Sequence, residues 1–165
     1  SVRPSTTTQT KRAFIGQGYI GKSYADDFER RGYEVIRYAR GEPYNKNKDA
    51  IKDCDIVFIA VPTPTTPDGF DASILKEVLS CVGTGKSAVI KSTISLGTTK
   101  ELQNKYPDIF IFHSPEFLTE ATAAENAAKP ERNIIGTPMA SQEYEETARF
   151  ILSVLPKASY ELICD

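Results

Sequence analysis

Three groups of residues in this chain have types and spacings suited to chemistry. The first is "GQGYIG", 16–21, where Gly16, Gly18 and Gly21 stand at G-x-G-x-x-G spacing. In such a loop Gly16 permits a sharp turn, Gly18 lets a pyrophosphate approach the backbone and Gly21 lets a helix pack close to a strand. Tyr19 and Ile20 lie between them at the opening of that helix, where amide donors and the helix dipole favour an anion. The second group is "SPEFLTE", 114–120, with Glu116 and Glu120 one helical turn apart. A carboxylate within reach of a water, with a suitable pKa, is a general base. The same two acids also suit the first turn of a helix, where the dipole stabilises them. The third group is two threonines, Thr63 in "VPTPT" and Thr93 in "STISLGTT". A hydroxyl there can donate to a ribose oxygen or orient a water. Thr, Pro and Gly also simply build turns and caps, and Thr98 reads as a helix cap.

The elements that must carry these residues follow from apolar patterning. Short runs rich in β-branched and aromatic residues recur at 13–16, 34–38, 56–61, 88–92, 109–113, 133–136 and 160–164, which are seven candidate strands. Helical periodicity lies between them: Ile20, Tyr24 and Phe28; then Ile74, Leu75, Val78, Leu79 and Val82; then Tyr144, Ala148, Ile151, Leu152 and Leu155. Near-continuous apolar strands separated by helices predict a mainly parallel sheet covered on both faces, the doubly wound α/β architecture. The glycine loop, the two threonine turns and "SPEFLTE" each follow a strand. The expectation is therefore that Gly18 and Glu116 share the C-terminal edge of the sheet, where α/β sites lie.

Composition sets the outer bounds. The 165 residues suit one domain, read here as 12–165 behind a flexible arm at 1–11. A net charge of −2 from 22 acidic and 20 basic residues offers no field for nucleic acid. No apolar run approaches the roughly 20 residues of a membrane span, and the first ten residues lack a secretory apolar segment. Cys54, Cys81 and Cys164 are scattered and odd in number, and show no metal-ligand spacing with the single histidine, His113. That pattern predicts a reducing, cytoplasmic setting, no bound metal, three core cysteines and a structural His113 at a strand end.

Five stretches, "GQGYIG", "CDIVFIAVPTPTTPDGFD" (54–71), "IKSTISLGTT" (90–99), "SPEFLTEATAAEN" (114–126) and "PERNIIG" (130–136), occur in an order that resembles the N-terminal, Rossmann-like NAD-binding domain of the UDP-glucose/GDP-mannose dehydrogenase family. Members of that family oxidise a nucleotide sugar from the C6 alcohol to the acid, using two NAD+ and a thioester on a cysteine. The resemblance implies that Glu116 is the active-site glutamate near the thioester, that Glu120 lies on the nicotinamide side, and that Thr63 and Thr93 contact the cofactor. Thr93 would also help position a water. Ser95-Leu96 stands where a proline is usual in that turn.

Two departures from the family pattern shape the functional expectation. The acid that should hold the ribose diol after the second strand falls at Ala39 in "EVIRYARGE". Arg40, beside it, suits a 2′-phosphate or an adenine face, so NADP stands beside NAD, and a site holding neither stays open. The family's central helix and C-terminal sugar-binding domain, with the nucleophilic cysteine, have no counterpart in these residues. Without a nucleophile the covalent step has no carrier. The expectation is a cofactor-binding domain that does not complete the oxidation alone and meets a nucleotide sugar only with a C-terminal half. The alternative is a non-enzymatic binding or structural module; assembly into a homo-oligomer stays open.

Overall fold

The computed structural model describes residues 11–16, 19–39, 43–61, 65–67, 69–70, 73–92, 94, 97–114, 127, 132–158 and 160–164. In chain order the elements are β1 (Arg12–Ile15), α1 (Tyr19–Arg30), β2 (Val35–Tyr38), a 3-10 helix (Tyr44–Asp53), β3 (Ile56–Ile59), β4 (Thr65–Thr66), β5 (Gly69–Phe70), α2 (Ser73–Leu79), β6 (Ser87–Ile90), α3 (Thr98–Lys105), β7 (Phe110–His113), β8 (Arg132–Gly136), α4 (Gln142–Val154) and β9 (Tyr160–Cys164).

Seven strands form one sheet in the order β2-β1-β3-β6-β7-β8-β9, and all seven coincide with the apolar runs read from the sequence. The first five are parallel. Among the described residues β8 meets β7 antiparallel through one pair, His113 with Gly136, and β9 runs parallel to β8. The mainly parallel, doubly wound Rossmann-like class holds, with a reversed two-strand unit at one side. A short antiparallel ribbon, β4 with β5, follows β3.

Strands buried on both faces explain the unbroken apolar runs. Along β1, Ala13 and Ile15 enter one core cluster with Val57, Ile59, Ala88, Ile90 and Ile111, closed by Leu75, Leu79 and Leu102 of the helices on that face. Phe14 enters the other, with Phe58, Val89 and Phe112, covered by Phe28 of α1 and Ile151 of α4. Phe14 and Phe58 stack at 4.8 Å between ring centroids, and Phe28 tilts against both. Such aromatic contacts add specific geometry to the area they bury.

Two sequence readings need correction. Cys164 is exposed rather than in the core, because β9 is the outermost strand; Cys54 is buried and Cys81 is half-buried after the end of α2. Burial and the neighbouring Asp55 push the Cys54 thiol up to about 11, so it is inert at neutral pH. Thr98 is the first residue of α3 and not its cap; Gly97, with φ +86°, takes the cap position. Among the described residues no helix is long and apolar enough to cross a membrane, and no group of three or more His, Cys, Asp or Glu could hold a metal ion.

Candidate functional site

The parallel half of the sheet ends on a level line. Gly16 N–H donates to the Tyr38 carbonyl at 2.8 Å, Ala60 N–H to Ile15 at 2.9 Å, Lys91 N–H to Ile59 at 2.7 Å and Ser114 N–H to Ile90 at 2.9 Å. Each strand exit is therefore fastened to the last carbonyl of its neighbour. The chain leaves β1 for β2 on one side and returns to β3 on the other, so the crevice between the ends of β1 and β3 is the topological switch point, where open α/β sheets bind ligands.

Gly16 occupies that point, and two observations require glycine there. Its φ is +88°, a left-handed value that disfavours a side chain. A Cβ on it would also lie 2.2 Å from the carbonyl oxygen of Ala60 at the end of β3. The sharp turn expected of Gly16 is present; its close approach to β3 was not legible, because it depends on which strand lies alongside. Three residues later α1 begins, with Tyr19 and Ile20 as its first two residues and Gly21 buried in its first turn. That turn contains no acid.

Ala39, where the resemblance predicts an acid, follows β2 at the same edge and is half-buried. Gly18, Arg40, Thr63, Thr93, Glu116 and Glu120 lie outside the described residues. The strand ends that lead to them do not: β3, β6 and β7 end in register at the edge that carries Gly16.

A polar clamp that sequence reasoning missed joins these exits. The Ser92 hydroxyl accepts from Val61 N–H at 2.9 Å and donates to the Val61 carbonyl at 2.7 Å, fastening the β6 exit to the β3 exit. His113 Nε2 donates to the Ser92 carbonyl at 3.2 Å. Burial, helped by the charge of Lys91, pulls His113 below its ordinary 6.5 despite that hydrogen bond, so the ring is neutral at pH 7. On the opposite face of the sheet, the Lys91 ammonium donates to Ser114 Oγ at 3.1 Å and lies 4.7 Å from the centre of the Tyr24 ring in α1. A lysine closing an apolar strand was the available signal. His113, expected to be a structural residue at a strand end, closes β7 and contributes to this clamp.

Residues 42–152 match the family model described as UDP-glucose/GDP-mannose dehydrogenase family, NAD binding domain. The chain belongs to this family. Its relatives include a UDP-glucose 6-dehydrogenase from Streptococcus pneumoniae, 30% identical over 173 aligned positions that cover 84% of this chain and 44% of the relative. Among solved structures, a UDP-glucose dehydrogenase from Pyrobaculum islandicum superposes with a TM-score of 0.80 at 23% identity, covering 99% of this chain and 48% of that one. A UDP-D-ManNAc dehydrogenase from Pyrococcus horikoshii gives 0.77 at 22% identity, over 94% and 47%. The two superpositions bear on the fold alone.

The chain spans less than half the length of these relatives. The cofactor class of this family domain is a nicotinamide dinucleotide. The described residues fit such a group: a glycine that no side chain can replace stands at the switch point, and the helix beginning beside it brings no acid of its own to compete for its N-terminal charge.

Proposed function

We propose that this chain is the cofactor half of a nucleotide-sugar dehydrogenase of the UDP-glucose 6-dehydrogenase type, with the dinucleotide across the ends of β1 and β3. Gly16, wedged against Ala60 at the switch point of a chain of this family, carries the reading. Gly16 would make the turn that brings the loop to the ligand, its own amide being held by the Tyr38 carbonyl, and Gly18, Tyr19, Ile20 and Gly21 would hold the pyrophosphate through backbone amides and the α1 dipole. Thr63, Thr93 and Glu120 are assigned to the cofactor, and Glu116, with Thr93, to the water that hydrolyses the thioester in the whole enzyme.

The bound cofactor supplies hydride acceptance; these residues supply position and a proton acceptor. Ala39 at the end of β2 makes the ribose contact weak and leaves NAD and NADP close in affinity, with Arg40 as the arbiter. The non-enzymatic alternative draws on the same alanine. Parallel calorimetric titrations with NAD+, NADH and NADP+ separate the two. Binding of NAD+ or NADP+ is expected, and no binding at millimolar concentration would leave the scaffold reading. The 165 residues alone are expected to give no sustained NADH from UDP-glucose. Steady turnover that is lost in Glu116→Gln would refute that part.

A further inference from the structure

Lys91 is a lysine with only 4% of its surface exposed, at the centre of the sheet, one residue beyond β6. An ammonium is seldom buried unless something uses it. Here it faces α1: Val89, two residues earlier, belongs to the core cluster that α1 covers, and Lys91 continues that side of the strand. Its described contacts tie three elements together. The ammonium donates to Ser114 Oγ at the β7 exit, and Ser114 is itself buried. It also lies over the ring of Tyr24, which stacks on Phe14 of β1. The backbone N–H of Lys91 holds the end of β3.

The direction of a dinucleotide across this edge follows from the topology. The adenosine ribose belongs at the end of β2, the pyrophosphate at the start of α1, and the remainder of the molecule on the far side of the switch point, over the exits of β3, β6 and β7. Lys91 braces that far side against α1.

We propose that Lys91 is a positioning residue for the nicotinamide half of the crevice, acting through Ser114 and Tyr24 to hold the β6 and β7 exits in register with α1. The inference rests on the dinucleotide reading above. It assigns Lys91 no contact with the ligand.

The test compares two ligands: NAD+, and ADP-ribose, which has the adenosine and pyrophosphate but no nicotinamide. Each is titrated calorimetrically into the 165-residue chain, its Lys91→Met, Lys91→Arg and Ser114→Ala variants and the Lys91→Met, Ser114→Ala double variant, with Tm measured alongside. The unsubstituted chain should bind NAD+ more tightly than ADP-ribose. Lys91→Met should weaken NAD+ about tenfold while ADP-ribose stays within about twofold, and Lys91→Arg should recover most of the loss. Ser114→Ala should weaken NAD+ selectively too, and its effect should not add to that of Lys91→Met, because the two residues share one contact. If Lys91→Met does not fold, Ser114→Ala and Lys91→Arg carry the test by the same selectivity.

A merely structural lysine would lower Tm and leave the ratio of the two affinities unmoved, which would overturn the proposal. Equal affinity of the unsubstituted chain for both ligands would overturn it as well. A chain that binds neither ligand overturns the dinucleotide reading and this inference with it. A chain that binds both, with a ratio insensitive to Lys91 and Ser114, overturns this inference alone.

Discussion

Helices α1 and α4 both follow strands of the same sheet, and they begin in opposite ways. α4 is self-contained: Ser141 caps it, accepting from Tyr144 N–H at 3.3 Å, and Glu143 and Glu145 stand in its first turn. Glu145 then pairs with Arg149 at 2.7 Å. α1 has no acid in its first turn, carries Lys22 there, and follows a glycine locked by its own conformation and by Ala60. A helix that neutralises its own N-terminal charge needs nothing from outside. A helix that brings no acid, at the switch point of a parallel sheet, leaves that role to an anion. On the proposed dinucleotide reading, the difference separates a scaffold turn from a binding turn within one molecule.

Gly16→Ala is the severest way to break the comparison. The new Cβ would meet backbone at 2.2 Å and the residue would keep a positive φ, so neither side-chain rotation nor a small shift relieves it. A loss of more than about 3 kcal/mol is expected, a Tm drop of roughly 10 °C for a domain of this size, with dinucleotide binding abolished. A variant of near-parental Tm would show that the wedge against Ala60 is not a constraint on the fold.

The second prediction is read in affinity. Ala39→Asp puts an acid at the end of β2 and should tighten NAD+ by a few-fold to about a hundredfold, one or two hydrogen bonds of about 0.5–1.5 kcal/mol each. Arg40→Ala should weaken NADP+ more than NAD+. If neither affinity responds, the α1 side is no more a binding turn than the α4 side. On that other side, Ser141→Ala should cost about 1 kcal/mol, roughly 2–4 °C in Tm, and leave both affinities unchanged. A change in affinity there would erase the distinction from the opposite direction.

What could be read in the sequence follows from what each element buries. β3 was legible because Ile56, Val57, Phe58 and Ile59 are all buried, which writes strand placement as an unbroken apolar run. α3, "TTKELQNK", was not, because it docks through Leu102 and a polar residue, Gln103, whose amide donates to the Ile109 carbonyl and accepts from Ile111 N–H. The 3-10 helix buries only Ile51 among ten mostly polar residues and has no periodicity to detect. Strand direction was equally hidden: β8 and β9 carry apolar runs like those of the parallel strands, Ile134-Ile135 and Leu162-Ile163, and a run of this kind does not encode its direction. At the site, spacing revealed Gly16, whereas Lys91 looked like an ordinary strand end, since neither Ser114 nor Tyr24 is near it in sequence.

The smallest expected effect lies where the parallel half meets the reversed unit, at His113, whose only ladder partner across that junction is Gly136. Burial and Lys91 hold the folded ring below its ordinary 6.5. Between that lowered value and 6.5 the unfolded chain binds a proton that the folded chain does not, so stability rises with pH across this window. Acidification from pH 7 should therefore lower Tm as the pH passes below about 6.5, and the loss should level off once the folded ring also takes up its proton. The chain has one histidine, so the difference in slope between the parent and a His113 variant reports this ring. His113→Gln keeps a donor for the Ser92 carbonyl and removes this titration; its Tm should fall less than the parent's on acidification below about pH 6.5. An equal slope in both proteins would place the proton elsewhere. A Tm that rises on acidification of the parent would mean that the folded state favours the charged ring, and the clamp at this edge would then need a negative partner for His113.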